Sequence, residues 1–311
     1  MRRHRWRRRM TVGAESRPVT GTETDVDLRV LGPVEAVRAG RPVALGGRRQ
    51  RMVLAALLVA QGRMLPVDRL RELVWGDGDR VASRATLYGY VAGLRRVLEP
   101  EHAARRGDVL VHAGTGYALR LRPGRVDAER FTALVETGGV LLDRGRPVEA
   151  ATTLDTALAL WRGPAFADLG DVPFVLPAVT RLAAARAAAV ELRLTALLQA
   201  GRHAVLVGEL EALVIEEPLR ERGWELLATA LYRAGRQGDA LAVLRRARRT
   251  LAEQLGADPG PALRRIEVAI LHHDVTLAPA AVSVSARQRP HRPLAGRVLR
   301  VRRYAPGRPS P

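Results

Sequence analysis

The stretch Leu45–Leu98, LGGRRQRMVLAALLVAQGRMLPVDRLRELVWGDGDRVASRATLYGYVAGLRRVL, decides the fold. Three helical patterns sit in it, each closed by a stop signal. Arg48–Gln61 carries Val53, Leu54, Leu57 and Leu58 on one face and ends at Gly62. Pro66–Trp75 carries Leu70, Leu73 and Val74 and ends at Gly76. After the polar run Asp77-Gly78-Asp79-Arg80, Ser83 stands at an N-cap position for a third helix reaching Leu98, with Pro100 just beyond. Leu87, Val91, Leu94 and Leu98 form its single apolar stripe.

On both sides of the three helices the period changes to two. Leu28 and Val30, then Val34 and Ala36, then Val43 and Leu45 alternate with polar residues around turns at Gly32-Pro33 and Ala39-Gly40. Downstream, Val109 and Val111 precede Gly114-Thr115-Gly116, and Tyr117, Leu119 and Leu121 follow, which predicts a hairpin. Small sheet, three helices and hairpin is the order of a winged helix-turn-helix, predicted for residues 26–125. From 126 to 274 no strand pattern occurs. Helices are predicted near Asp127–Arg144, Pro147–Trp161, Phe174–Ala200, His203–Ile215, Arg220–Ala234, Gln237–Leu255 and Pro261–His272. Ala200-Gly201-Arg202 recurs as Ala234-Gly235-Arg236, an offset of 34 residues that carries Leu197 onto Leu231, Val207 onto Leu241 and Leu210 onto Leu244. That is the period of a TPR-like helix-turn-helix repeat. The fold class is therefore mainly α: an N-terminal α+β winged helix-turn-helix, then an all-α TPR-like domain. Residues 1–25 and 275–311 are arginine-rich, lack periodicity and are expected to be disordered basic ends.

Charge separates the same segments. The chain of 311 residues has a net charge of +19, and all 51 of its cations are arginine. A coding sequence rich in G and C favours arginine codons, so the location of the charge says more than its amount. Residues 26–125 hold 18 arginines and 9 acids; residues 126–274 hold 18 arginines and 20 acids. A basic folded segment beside a near-neutral one is the electrostatic footprint of a nucleic-acid binder. The absence of cysteine excludes disulfides, thiolate catalysis and Cys-ligated zinc. The longest uncharged stretch, Val275–Ala286, is too short to span a bilayer, and no apolar run follows the N-terminal arginines as a signal peptide requires. No membrane partner is expected, and the location is read as cytoplasmic, on the nucleoid.

Several motifs resemble one family. Leu45-Gly46-Gly47-Arg48-Arg49-Gln50-Arg51, Val67-Asp68-Arg69-Leu70 and Leu73-Val74-Trp75-Gly76 are similar to the first two helices of the SARP group, the Streptomyces antibiotic regulatory proteins. Thr86–Arg96 is similar to its third helix and Gly116-Tyr117-Ala118-Leu119 to its wing strand. Leu160-Trp161-Arg162-Gly163-Pro164, Pro218–Arg222, Ala230–Arg236 and Leu255–Gly260 resemble the bacterial transcriptional activator domain. The resemblance implies an OmpR-type winged helix on tandem direct repeats of promoter DNA and a TPR-like domain that helps form a homodimer there. It further implies activation of specialised-metabolite gene clusters through RNA polymerase and its sigma factor. Larger relatives add an ATPase domain. None is expected here, because a chain without lysine has no Walker lysine.

The candidate contacts follow from the third helix lying in the major groove. With its stripe inward, Arg84, Ala85, Thr86, Gly89, Tyr90 and Gly93 are left for the groove, and Arg95 and Arg96 suit phosphates or the helix dipole. The bland alternative is a solvated face. His112, Thr115 and Tyr117 flank the wing turn, where they meet the minor groove or phosphates, or else form a plain hairpin with Tyr117 in the core. Arg48, Arg49 and Arg51 open the first helix, where a phosphate would explain cations that oppose the dipole; simple surface arginines are the alternative. Trp75 and Trp161 are read as core anchors. No catalytic motif, metal cluster or cofactor fingerprint is found, so no enzyme activity and no cofactor are expected. The rival function is a TPR-like scaffold with non-specific nucleic-acid binding; it is disfavoured because the positive excess lies outside the repeats.

Overall fold

The computed structural model describes residues 26–76, 83–100, 109–274 and 277. The disordered ends expected at 1–25 and 275–311, Leu277 apart, lie outside the described residues.

Three short strands open the fold as an antiparallel meander, β1 Val26–Arg29, β2 Glu35–Arg38 and β3 Arg41–Val43. The β2–β3 link is two residues, Ala39 and Gly40, both at positive φ (48° and 77°), the geometry that matches strand twist in tight hairpins. Then come α1 Arg48–Val59, α2 Val67–Trp75 and α3 Arg84–Leu98. The wing is β5 Leu110–Ala113 and β6 Gly116–Leu119, turning at Gly114-Thr115. One strand was not foreseen: β4, Leu65–Pro66, pairs with β6 ahead of α2. Two residues, one a proline, are too few for a period-two signal. This pairing also explains Gly116, since a Cβ there would lie 2.0 Å from the Leu65 carbonyl oxygen.

The remainder is helical: α4 Asp127–Asp143, α5 Pro147–Leu158, a 3-10 turn Pro173–Val175, α6 Leu176–Gln199, α7 His203–Glu216, α8 Glu221–Arg233, α9 Gln237–Leu255 and α10 Pro261–Leu271. The repeat read at Gly201 and Gly235 is a Schellman turn. Both glycines are left-handed (φ 79° and 78°), and the next arginine N–H reaches back five residues, Arg202 to Leu197 (3.0 Å) and Arg236 to Leu231 (2.9 Å). A third copy stands at Gly145 (φ 69°), where Arg146 N–H meets the Leu141 carbonyl at 2.9 Å. Its relation to the others is hidden in the sequence because the long segment between α5 and α6 breaks the period. Pro173–Gln199 is apolar and long enough to cross a membrane by composition. Here it lies along three apolar clusters, burying Ala178, Leu182 and Ala189 in one, Leu194 and Leu198 in another and Ala196 in the smallest.

The packing boundary does not coincide with the one expected after residue 125. Among the described residues the first core draws on side chains from Val26 to Ala189 and the second from Leu194 to Ile270, with a small third cluster of Ala150, Ala151 and Ala196. The first is tied by backbone as well as by apolar contact. Leu28 N–H donates to the Arg125 carbonyl (2.8 Å), and Arg162, Phe166 and Ala167 N–H groups donate to Leu31, Val30 and Gly32. Asp127, 1% exposed, accepts from the Val30 and Leu31 N–H groups at 2.8 and 3.1 Å. Its second oxygen lies 3.5 Å from Arg162, which also pairs with Glu35 at 2.7 Å. The Trp161-Arg162-Gly163-Pro164 motif is therefore a clamp: its indole meets Phe131 edge to face and its arginine holds the first sheet.

Candidate nucleic-acid interface

The third helix is anchored as its pattern requires: Leu87, Val91, Leu94 and Leu98 are all buried. Ser83 is its N-cap, accepting from Thr86 N–H (3.1 Å), and the Thr86 hydroxyl lies 2.9 Å from the Ser83 hydroxyl. The opposite face exposes Ala85, Tyr88, Gly89, Ala92 and Arg96. Positions 85, 89, 92 and 96 recur at helical spacing and form one ridge. Its floor is small, so a partner can approach the helix backbone closely. Tyr88, 44% exposed, and Arg96 supply the larger groups beside it. Tyr88 and Ala92 join the residues expected on this face, and their angle from the apolar stripe is the sequence signal that marks them.

Two residues expected on the groove side face elsewhere. Tyr90 is half-buried and stacks on Trp75, with centroids 5.8 Å apart and an interplanar angle of 14°. The Arg49 guanidinium lies 5.9 Å from the same indole. Gly93 serves packing, since a Cβ there would come within 2.8 Å of the Gln50 side chain on α1. Nothing lies within 4 Å of the Cβ position at Gly89, so that glycine is open to solvent.

The C-terminal turn of α3 holds the wing from both sides of one residue. Leu110 donates its N–H to Glu99 Oε1 (2.7 Å), and its carbonyl accepts from Arg95 Nε (3.1 Å). The Arg95 guanidinium also lies 5.7 Å from the Tyr117 ring. Tyr117 is buried, which pushes its hydroxyl pKa up, and His112 meets it edge to face at 5.2 Å. Tyr117 is thus the wing's core residue, whereas His112 and Thr115 are exposed on it.

The remaining cations differ in how far they are committed. Arg84 pairs with Asp68 of α2 at 3.1 Å, and that hydrogen bond holds the Asp68 carboxyl below the ordinary aspartate value. Arg48 hydrogen-bonds Asp171, whose carboxyl it likewise lowers, and Arg51 pairs with Asp168 at 2.7 Å. Asp168 also accepts from the Val34 N–H at 2.9 Å. Both acids come from the segment between α5 and α6, more than a hundred residues from α1. The structure therefore leaves Arg84, Gly89 and Arg96 exposed and Thr86 partly exposed on α3, and His112 and Thr115 exposed on the wing. It gives Arg48 and Arg51 acidic partners in the helical part and turns Tyr90 and Tyr117 inward. Among the described residues no group of three or more His, Asp or Glu could hold a metal.

This architecture has known counterparts. Residues 40–119 match the family "Transcriptional regulatory protein, C terminal", and residues 126–271 match "Bacterial transcriptional activator domain". The chain is 33% identical to the regulatory protein DnrI of Streptomyces peucetius, over 84% of this chain and 99% of that protein. It is 36% identical to the transcriptional regulator RedD of Streptomyces coelicolor, covering 81% of this chain and 72% of RedD. Against the transcriptional regulatory protein EmbR of Mycobacterium tuberculosis the identity is 38% over 80% of this chain, which spans 64% of EmbR's length. The solved structure of M. tuberculosis EmbR in complex with a low-affinity phosphopeptide superposes with a TM-score of 0.74 at 38% identity, over 80% of this chain and 65% of that one.

Proposed function

This chain belongs to the SARP family of bacterial transcriptional regulators, an OmpR-type domain joined to a bacterial transcriptional activator domain, and on that premise we propose that it is a sequence-specific, DNA-binding transcriptional activator. The observation that carries this reading is the exposed ridge of α3, with a small-residue floor between Tyr88 and Arg96 on a helix fixed by four buried residues. A helix fits the major groove, and a low ridge lets it approach base edges closely. The contacts proposed on α3 are Arg84, Thr86, Tyr88, Gly89 and Arg96, with His112 and Thr115 reaching the flanking backbone from the wing.

The finer reading follows the family. Two copies sit head to tail on direct repeats about 10–11 bp apart, so that both α3 helices meet the major groove on one face. The helical part holds the pair and meets RNA polymerase and its sigma factor, in the cytoplasm on the nucleoid. The controlled genes are those of a specialised-metabolite cluster. Footprinting on the promoter beside the chain's own gene tests the tandem arrangement, with and without 5 bp inserted between repeats. Loss of cooperative binding and of reporter activation on insertion supports it; survival of both overturns it.

A further inference from the structure

The helix α7 is apolar on more than its buried side. Leu206, Val207, Leu210 and Val214 face the second core. On the outside, Val205 and Ile215 are the most exposed large apolar side chains among the described residues, at 79% and 75%. Gly208 and Ala212, both exposed, lie between them at helical spacing, and nothing stands within 4 Å of the Cβ position at Gly208. The four residues form one outward stripe. A surface helix of a globular fold carries polar residues on its outer side, so a second apolar stripe marks a docking face. Acids border this one. Glu209 and Glu216 flank it on one side and Glu211 on the other, Glu217 follows, and residues 203–217 contain no arginine. Arg193 of α6 meets Glu209 but is shared with Asp155. On the α8 side Arg220 pairs with Glu191 and Arg222 with Glu225, while Arg202 precedes the N-terminus of α7. Glu211, Glu216 and Glu217 have no ion pair among the described residues. They crowd the C-terminal half of α7, where the helix dipole is itself negative. The face therefore fits a chain segment that mixes apolar and basic residues.

We propose that residues 297–304 of this chain, Arg297-Val298-Leu299-Arg300-Val301-Arg302-Arg303-Tyr304, dock on the outer face of α7. Residues 278–311 hold 8 arginines and no acid, and 297–304 set four of those arginines among Val298, Leu299, Val301 and Tyr304. The segment departs from beside α7. Arg233 donates from Nε to the Leu277 carbonyl (2.9 Å) and from Nη1 to the Leu198 carbonyl (3.1 Å), and Leu198 lies in the last turn of α6, just ahead of α7. The roughly 20 residues from Leu277 to Arg297 reach up to about 66–72 Å, against about 21 Å for the length of α7. Attachment through one chain gives a local concentration on the order of millimolar, against which a separate basic partner competes poorly. A second copy docking by the same face would set acids against acids, because both flanks of the stripe are acidic. Docking holds these four arginines on the helical part and away from nucleic-acid phosphates. The proposal stands apart from the DNA reading, and its test contains no DNA.

The chain has no cysteine, so an introduced pair reports directly on contact. In the full chain at low protein concentration, Gly208→Cys combined with Val301→Cys should form an intrachain disulfide about tenfold faster than Val148→Cys combined with Val301→Cys. Val148 is the control because it is exposed on α5, and docking keeps Val301 on α7 instead of sampling the whole surface. Adding Glu211→Gln, Glu216→Gln and Glu217→Gln together should abolish that advantage, and so should about 1 M salt. Ala212→Cys, one turn further along the stripe, replaces Gly208→Cys if the melting temperature shows that variant to be misfolded. Equal rates at α7 and α5, an advantage that survives the glutamine substitutions, or disulfides formed only between chains would overturn the proposal, the last by seating a second copy on the stripe.

Discussion

Residues 26–125 and 126–274 hold the same number of arginines, 18 each, but 9 acids against 20. In the helical part several arginines meet acids on the same or the adjoining helix: Arg146 with Glu149, Arg236 with Asp239, Arg222 with Glu225, Arg193 with Asp155 and Glu209, Arg248 with Glu267. In the winged-helix region Arg69 with Glu72, and Arg71 and Arg84 with Asp68, do the same. In the winged-helix region acids are half as many, and where α1 would present a cationic end the helical part supplies Asp168 and Asp171. The positive surface is therefore set by where acids are missing, not by where arginines are plentiful. The comparison also shows one region correcting the charge of the other across their joint core.

The joint core gives the largest expected effect. Asp127→Ala strips the Val30 and Leu31 N–H groups and Arg162 of a buried acceptor and should cost about 3–5 kcal/mol in urea unfolding. A loss below about 1 kcal/mol would mean that the two regions hold together without it. Next, Ala92→Glu puts an acid in the middle of the α3 ridge. It should weaken DNA binding by about 100-fold, because a like charge against phosphates costs a few kcal/mol. The melting temperature should stay unchanged, since the position is exposed. An unaffected gel shift would remove α3 from the interface.

Smaller effects separate neighbouring arginines. Arg96→Ala should lower the salt dependence of DNA binding by about one phosphate's worth and leave stability alone. Arg95→Ala should instead destabilise the fold by about 1 kcal/mol, because Arg95 holds the wing through the Leu110 carbonyl. If both variants change only the salt slope, the bracket on Leu110 has no mechanical role. The smallest effect belongs to α1. Asp171→Asn should free Arg48 and raise DNA affinity about two- to threefold at low salt, because an exposed pair is weak and screened by salt. The Asp171 carboxyl is depressed in the folded chain, so its contribution is complete above the ordinary aspartate pKa of about 4 and is lost as pH falls through the lowered value. Melting curves of the wild type and Asp171→Asn should therefore differ by the same amount from pH 7 to 5 and converge only below about pH 4.

Much of this was readable in the chain because helix formation is a local matter. The Leu87, Val91, Leu94, Leu98 stripe faces the core, Ser83 is the cap, and glycines 201 and 235 close helices in the left-handed conformation that residues with a Cβ rarely adopt. Reading the α3 face was less complete. A helical wheel gives the buried stripe, but it does not say which flank α2 covers, so it points Tyr90 toward the groove, whereas Trp75 of α2 stacks on it. Gly89 and Gly93 look alike in sequence and differ only because Gln50 of α1 packs on the second.

The sequence by itself determined the helices and most of the strands, the basic and neutral segments, the three-helix core and the repeat near residue 200, because periodicity and capping act within a turn or two of helix. Only the tertiary structure decided which arginines remain available. Arg51 and Asp168 are 117 residues apart, and no local pattern can pair them. The same holds for Asp127 under the first sheet and for the clamp at Arg162, both of which exist only once two segments share one core.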